Sequence, residues 1–331
     1  MENKVENKVA KEIKSDFIKN IFAIRETSII LIILLLIIAM SIFIPSFMTG
    51  SNISTTLVGL STDGMIAIGM TIVLVIGGID LSVGSVMALS NVVAGMLAAN
   101  GINIWISVLA AVFISVLSGY IVGIFITKVE LNPFITTLAM MSIARGVAYV
   151  FTKGSPVSLG SISNIFDAIG QGSVLGIPNP VLILFILVIV FDYLMRKSSF
   201  FRQTYFIGSN EKAAYLSGIN VNRVKMFVYV LSALLSGVAG VITLARFGVA
   251  TPTAGTGAEL RAIAGAVIGG ASLSGGAGTI LGAVLGILLV GLINNALVLL
   301  NVSVYWQSLV TGIVLICAVV IDIYANKNYR N

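Results

Sequence analysis

The sequence predicts an all-α, polytopic membrane protein of about ten transmembrane helices, with a parallel internal repeat and glycine-rich helix breaks. Three observations carry that prediction. Of the 331 residues, 58% are hydrophobic and 10% charged, and the mean hydropathy of +1.08 is far too apolar for a soluble domain. Apolar runs of about 20 residues, the length a bilayer core requires of a helix, recur along the chain. The sustained alternation of apolar and polar residues that a membrane barrel needs is absent.

The elements follow in order. Residues 1–26 carry Val5, Val9, Ile13, Phe17 and Ile21 at four-residue spacing among Lys and Glu. That pattern fits an amphipathic helix on the cytoplasmic surface, and it equally fits a flexible basic tail. A transmembrane domain over 27–325 comes next. Its first run, "TSIILIILLLIIAMSIFIPSF" at 27–47, has no charge, is too long for a signal-peptide core and lacks a small-residue cleavage site, so it is read as retained. Candidate spans are 28–47, 55–76, 82–98, 104–127, 134–152, 179–195, 226–246, 259–271, 278–299 and 304–323, separated by Gly, Pro or charge. Residues 196–225 form a connecting loop, and 326–331 a short tail.

An even number of spans places both termini on one side, and the basic residues say which. With both termini cytoplasmic, the inner segments hold 15 of the 19 Lys and Arg: six from Lys4 to Arg25, Lys128, six from Arg196 to Lys225, then Lys327 and Arg330. Lys153 and Arg246 fall outside, and Arg145 and Arg261 within spans. Topology thus accounts for the pI near 9.4, and no nucleic-acid partner is implied. With no histidine and a lone Cys317 in an apolar stretch, His-dependent catalysis, an intrachain disulfide and a Cys/His zinc site are excluded. Without His or paired carboxylates, an enzyme active site has no obvious constituents.

"VIGGIDLSVGS" at 75–85 is nearly repeated by "VIGGASLSGGA" at 267–277, with seven of eleven positions identical. Both copies lie between a span running inward and one running outward, as in a parallel transporter repeat. Neither continues to the Gly-Lys-Ser/Thr of a phosphate cradle. Gly77 and Gly78, with Gly269 and Gly270, can end helices, and Asp80 and its counterpart Ser272 are both good N-cap residues. The copies share capping ability rather than charge, which favours a structural break over a proton-carrying Asp80. Such breaks must be buried in protein or face a cavity, so the pair is expected to flank a path. Gly278, Gly282 and Gly286 at four-residue spacing suit close helix packing.

In the 196–225 loop, "NEKAAYLSG" can form a short helix ended by Gly218 with Ala213 and Ala214 on one side, suited to docking in a groove. The order Gly208, Asn210, Glu211, Ala213, Ala214, Ser217, Gly218, Ile219, followed by a span and "AGTGAELRAIAGAVIGGASLSGG", resembles the permease subunits of ribose-type ABC importers. "GMTIVLVIGGIDLSVGS" and "NPFITTLAMMSIARG" extend that resemblance over nearly the whole chain after the tail. It implies a bacterial plasma (inner) membrane permease that pairs with a second permease, identical or not, a cytoplasmic ABC ATPase and an extracytoplasmic solute-binding protein. It also implies that Glu211 to Gly218 is the coupling helix seated in the ATPase. ATP and Mg would be held there, and this chain, which has no Walker A sequence, would hold no cofactor or metal. One position departs from the family: Arg261 stands in Glu259-Leu260-Arg261-Ala262 where the family commonly has Asp, so the solute does not transfer with the resemblance. The guanidinium is expected to pair with Glu259 or to snorkel outward.

The expected mechanism is alternating access driven by the partner ATPase, carrying ribose or a related sugar; nucleosides or a signalling sugar are alternatives within the family. Asn91, Asn294 and Asn295 are candidates for lining the path, with Thr136 and Thr137 beside them, and interhelical hydrogen bonding is the competing role for each. Asp63 and Arg145, at comparable depths, are expected to pair with each other or to face water. An ion-driven secondary carrier would need a midplane carboxylate, for which Asp63 and Asp80 are the available residues.

Overall fold

The computed structural model describes residues 25–159 and 163–327. The amphipathic pattern of the tail falls on residues 1–24, and the end of the last tail on 328–331; both lie outside the described residues.

Four helices follow one another first: α1 (Arg25–Phe43), α2 (Gly50–Val75), α3 (Val83–Ala99) and α4 (Ile104–Thr127). Next come α5 (Pro133–Thr152), α6 (Asn164–Gln171) and α7 (Asn179–Lys197). The 196–225 connection holds α8 (Ser199–Ser209) and α9 (Glu211–Leu216). The chain finishes with α10 (Val221–Phe247), α11 (Ala258–Ile268), α12 (Ile280–Leu299) and α13 (Val304–Lys327). The only strands among the described residues are four two-residue pieces; Val157–Ser158 pairs antiparallel with Val249–Ala250, joining the α5–α6 and α10–α11 connections. Asn103, Asn132, Asn210 and Asn220 each cap a helix by accepting a backbone N–H, and Pro133 follows Asn132 at the first helical position.

Each of the ten expected spans coincides with a helix, and α6, α8 and α9 lie in connections. Among the described residues seven helices are long and apolar enough to cross a membrane: α1, α2, α4, α5, α7, α10 and α12. The span expected at 259–271 is corrected. α11 has 11 residues, about 16 Å of helix against a core of about 30 Å. Gly248, Pro252, Gly255 and Gly257 leave the chain before it irregular. That strap is folded into the protein, with Ala250 and Ala258 buried, as backbone without regular hydrogen bonding requires at membrane depth.

α2 and α10 form the centre. α10 packs along α2, α3 and α4, and its small residues let the backbones approach: Ser90 on α3 donates to Gly237 O at 2.8 Å. α12 packs on α11 and α2, with α1 at its edge. The outer faces of α1 and α7 present Leu35, Ile42, Phe43, Phe185 and Ile189, side chains suited to lipid.

The two glycine-rich segments end α2 and α11 in the same way. Gly77 takes φ +79° with Gly77 N–H on Leu74 O and Gly78 N–H on Val73 O. Gly270 takes φ +94° with Gly270 N–H on Val267 O and Ala271 N–H on Ala266 O. Both are Schellman ends, whose left-handed residue calls for glycine. The equivalence is shifted by one residue, so Gly269 corresponds in conformation to Ile76. Asp80 Oδ1 then accepts Ser82 N–H at 3.0 Å, and Ser272 Oγ accepts Ser274 N–H at 3.2 Å, the same two-residue turn. The expected N-cap positions are corrected. Ser82 and Thr279 are the N-cap residues of α3 and α12, because the turns built by Asp80 and Ser272 close before either helix begins.

Candidate functional site

A cavity of about 500 Å³ lies between α2, α3, the end of α10 and the strap, lined by Thr62, Asp63, Asn91, Thr243, Arg246 and Arg261 among others. Asp63 is midway along α2 and Asn91 midway along α3, so the cavity reaches the middle of the bundle. There it meets the start of the short α11, the arrangement by which discontinuous helices build sites at membrane depth.

The strap that forms one wall is held by three side chains from different elements. Asn91, fully buried, accepts Thr251 N–H at 2.7 Å and donates to Gly240 O at 3.2 Å. Arg145 on α5 donates to Pro252 O at 2.6 Å and Ala254 O at 2.8 Å. Arg261 donates to Thr256 O at 3.2 Å and makes a two-point ion pair with Asp63, Nε to Oδ2 at 2.7 Å and Nη2 to Oδ1 at 3.0 Å. Strap carbonyls left unmatched by regular structure, including those of buried Pro252 and Ala254, are thus satisfied by charged donors. Glu259 Oε2 is buried against Gly84 with no hydrogen-bond partner among the described residues.

The structure therefore separates Asp63 from Arg145, which were expected to pair or to face water. Arg145 is taken by strap carbonyls and Asp63 by Arg261, so the expected partner of Arg261, Glu259, is also replaced. Only half of the signal was legible: a cation where the resemblance expects an acid needs a counter-charge nearby, but that does not tell which carboxylate supplies it. Asn91 lines the cavity, but the other two path candidates do not. Asn295 exchanges amide hydrogen bonds with Asn52 at 2.8 and 3.1 Å, tying α12 to α2, and Asn294 is half-buried away from the cavity lining. Thr136 and Thr137 donate to Asn132 O and Pro133 O of the preceding turn. Asp80, buried, accepts from Ser82 Oγ at 2.6 Å and Ser232 Oγ at 2.8 Å and is not among the cavity's lining residues. Thr62, Thr243 and Arg246 were not singled out from sequence, since nothing in their local pattern marks them.

The two breaks do not flank this cavity. They meet each other at the opposite end of α2, where Gly276 N–H donates to Val75 O at 2.9 Å, and both meet α8. Gly208 fits there because it has no side chain: a Cβ would collide with Val75 O and Gly276 N. Tyr205 on α8 donates to Gly278 O at 2.8 Å. Burial raises the Tyr205 pKa, with Asp192 adding and Arg196 opposing. Thr279 donates to Glu26 Oε1 at 3.0 Å, which brings the start of α1 to the same joint.

One residue beyond α8, Asn210 Oδ1 caps α9 by accepting Ala213 N–H at 3.0 Å. Gly218, at φ +84°, ends α9 with Ile219 N–H on Ala214 O. Ser217 Oγ donates back to Ala213 O, and Glu211 pairs with Lys225 on α10 at 2.7 Å. The alanines divide rather than share a face: Ala214 is buried and Ala213 exposed, being about 100° apart on the helix. Tyr215 and Leu216, 70% and 77% exposed, form an apolar tip that the sequence reading passed over.

Comparison with known proteins adds the following. The family model described as branched-chain amino acid transport system / permease component matches residues 52–319. The ribose import permease protein RbsC of Escherichia coli (strain K12) is 42% identical over 301 residues, 90% of this chain and 94% of that protein. RbsC of Bacillus subtilis (strain 168) is 44% identical over 289 residues, 87% of this chain and 89% of its own. The L-arabinose transport system permease protein AraH of Escherichia coli (strain K12) is 39% identical over 295 residues, 89% of each chain. No solved structure matches the chain.

Proposed function

Because the chain belongs to the branched-chain amino acid transport system / permease component family, we propose that it is the membrane-spanning permease of an ATP-driven importer of ribose or a related monosaccharide. The observation that carries this is near end-to-end likeness to sugar import permeases, 42% identity over 90% of the chain for ribose. The chain is a transport subunit rather than an enzyme. A cavity at the middle of the bundle, lined by amide, hydroxyl and guanidinium groups, supports passage of a polar solute, since desolvated hydroxyls need matching partners.

In this reading both termini face the cytoplasm of a bacterial inner membrane, and a binding protein delivers solute at the opposite face. A second permease, identical or not, completes the membrane unit, and a cytoplasmic ABC ATPase holds ATP and Mg. α9, with its exposed Tyr215 and Leu216, seats in that ATPase. Gly208 then serves the joint behind the seat rather than the seat itself. Movement of α8 reaches both helix breaks directly, so the pairs α2/α3 and α11/α12 respond together.

Reconstitution of the chain with its ATPase, partner permease and binding protein in proteoliposomes tests this. Ribose accumulates with internal ATP and no ion gradient; selective accumulation of arabinose or a nucleoside would reassign the solute. Accumulation driven by an ion gradient without ATP would overturn the reading.

A further inference from the structure

We infer that Arg246 is a specificity-determining residue that grips adjacent hydroxyl oxygens of a polyhydroxylated solute between two adjoining cavities. The inference rests on the import reading above. Beside the cavity of about 500 Å³ lies a second of about 370 Å³, lined by Ser54, Thr55, Gln171, Ser173 and Pro178, and Arg246 lines both. Each falls within the range of about 300–1,000 Å³ typical of small-molecule sites. The lining residues succeed one another along α2: Ser54, Thr55 and Val58 face the second cavity, then Gly59, Thr62 and Asp63 the first. Arg246 stands at that boundary, its Nη1 3.8 Å from where a Cβ on Gly59 would lie.

Three arginines surround the strap, and two are fully engaged. Arg145 and Arg261 are taken by strap carbonyls and Asp63. The Arg246 side chain has no hydrogen bond or ion pair among the described residues; its one partner there is the ring of Phe247, 4.8 Å from Cζ to centroid. Its backbone, by contrast, is fixed. Gln171 Nε2 donates to Ala245 O at 3.2 Å, and Gly170 lies directly against Ala245 and Arg246, where any side chain would collide. A half-buried guanidinium presented from a fixed backbone with its planar fork of donors vacant matches two acceptor oxygens side by side. Two neighbouring hydroxyls of a neutral sugar supply them. Lys at this position would keep the charge and lose the fork.

The test uses the complete transporter in proteoliposomes with ribose and saturating binding protein. Arg246→Gln and Arg246→Lys each raise KM for uptake about tenfold or more, the loss expected for a charge-assisted hydrogen-bonded pair. Assembly of the complex and the amount of each variant in the membrane are measured beside uptake, so that a raised KM is not a loss of transporter. A ribose analogue lacking one hydroxyl is carried less well by the parent transporter, and Arg246→Gln depresses it no further. Parent-like KM in both variants overturns the inference. So does a parent-like Lys variant beside an impaired Gln variant, which would make the residue a point charge. If Arg246→Gln fails to assemble, the KM of Arg246→Lys decides. A parent complex without ATP-driven uptake would instead sink the import reading.

Discussion

Arg261 and Asp63 join a helix that crosses the bundle to one that stops halfway, through two parallel contacts of 2.7 and 3.0 Å. Both side chains are mostly buried, 27% and 18% exposed, so neither charge is fully repaid by water when the other is removed. Arg261→Asp alone sets two carboxylates together and lowers uptake at least tenfold, an effect of order 2 kcal/mol. Asp63→Arg together with Arg261→Asp recovers most of it, measured as initial uptake rate and thermal midpoint of the purified complex. Failure of the double reversal to recover either would show that the pair is incidental.

Gly208 touches backbone of both breaks, which cannot move aside as a side chain tip can. Gly208→Ala is expected to destabilise the chain by about 1–3 kcal/mol and to leave hydrolysis running with uptake largely lost. Gly218→Ala meets open space and bears only the strain of φ +84°, about 1 kcal/mol. Measuring solute carried per ATP hydrolysed separates the two positions; equal ratios would remove the joint from the coupling route.

Tyr215→Ser with Leu216→Ser removes the apolar tip of α9 and abolishes copurification of the ATPase while membrane insertion is retained. Glu211→Lys breaks an exposed ion pair with Lys225, worth about 0–1 kcal/mol, and weakens the association further only if Glu211 also contacts the ATPase. Retained copurification after loss of both tip residues would place docking elsewhere on the loop.

Asn91 and Asn295 are both asparagines within helices, yet they should behave differently. Asn295→Leu removes the exchange with Asn52 and lowers the thermal midpoint, by about 0.6–2 kcal/mol of helix association, without changing KM. Asn91→Leu frees Thr251 N–H and loosens the strap, so KM rises as well. Identical KM values for both variants and the parent would detach the strap from solute handling.

Most helices were legible because apolar length and glycine ends are local signals. The turn at Asp80 and its counterpart at Ser272 could be matched across the chain because the same side-chain turn recurs there. Pairing of side chains was not legible. Asp63 is 198 residues from Arg261 in sequence, and depth along a helix does not tell which face a charge occupies. Asn295 looked like a path residue for the same reason: an amide meeting another helix and an amide meeting a cavity leave identical traces in one sequence. α8 was hidden because its Phe and Tyr residues read as part of an irregular loop until their packing against the joint is seen.

The pinned strap has an electrical consequence. Pro252, Ala254 and Thr256 carbonyl oxygens, the dipoles that would otherwise strip water from sodium or potassium, are already turned toward guanidinium groups. Around them three arginines, Arg145, Arg246 and Arg261, stand against two carboxylates, Asp63 and Glu259, so the surroundings of the strap carry a positive excess. On the import reading proposed above, such a centre would repel cations and let an uncharged solute pass.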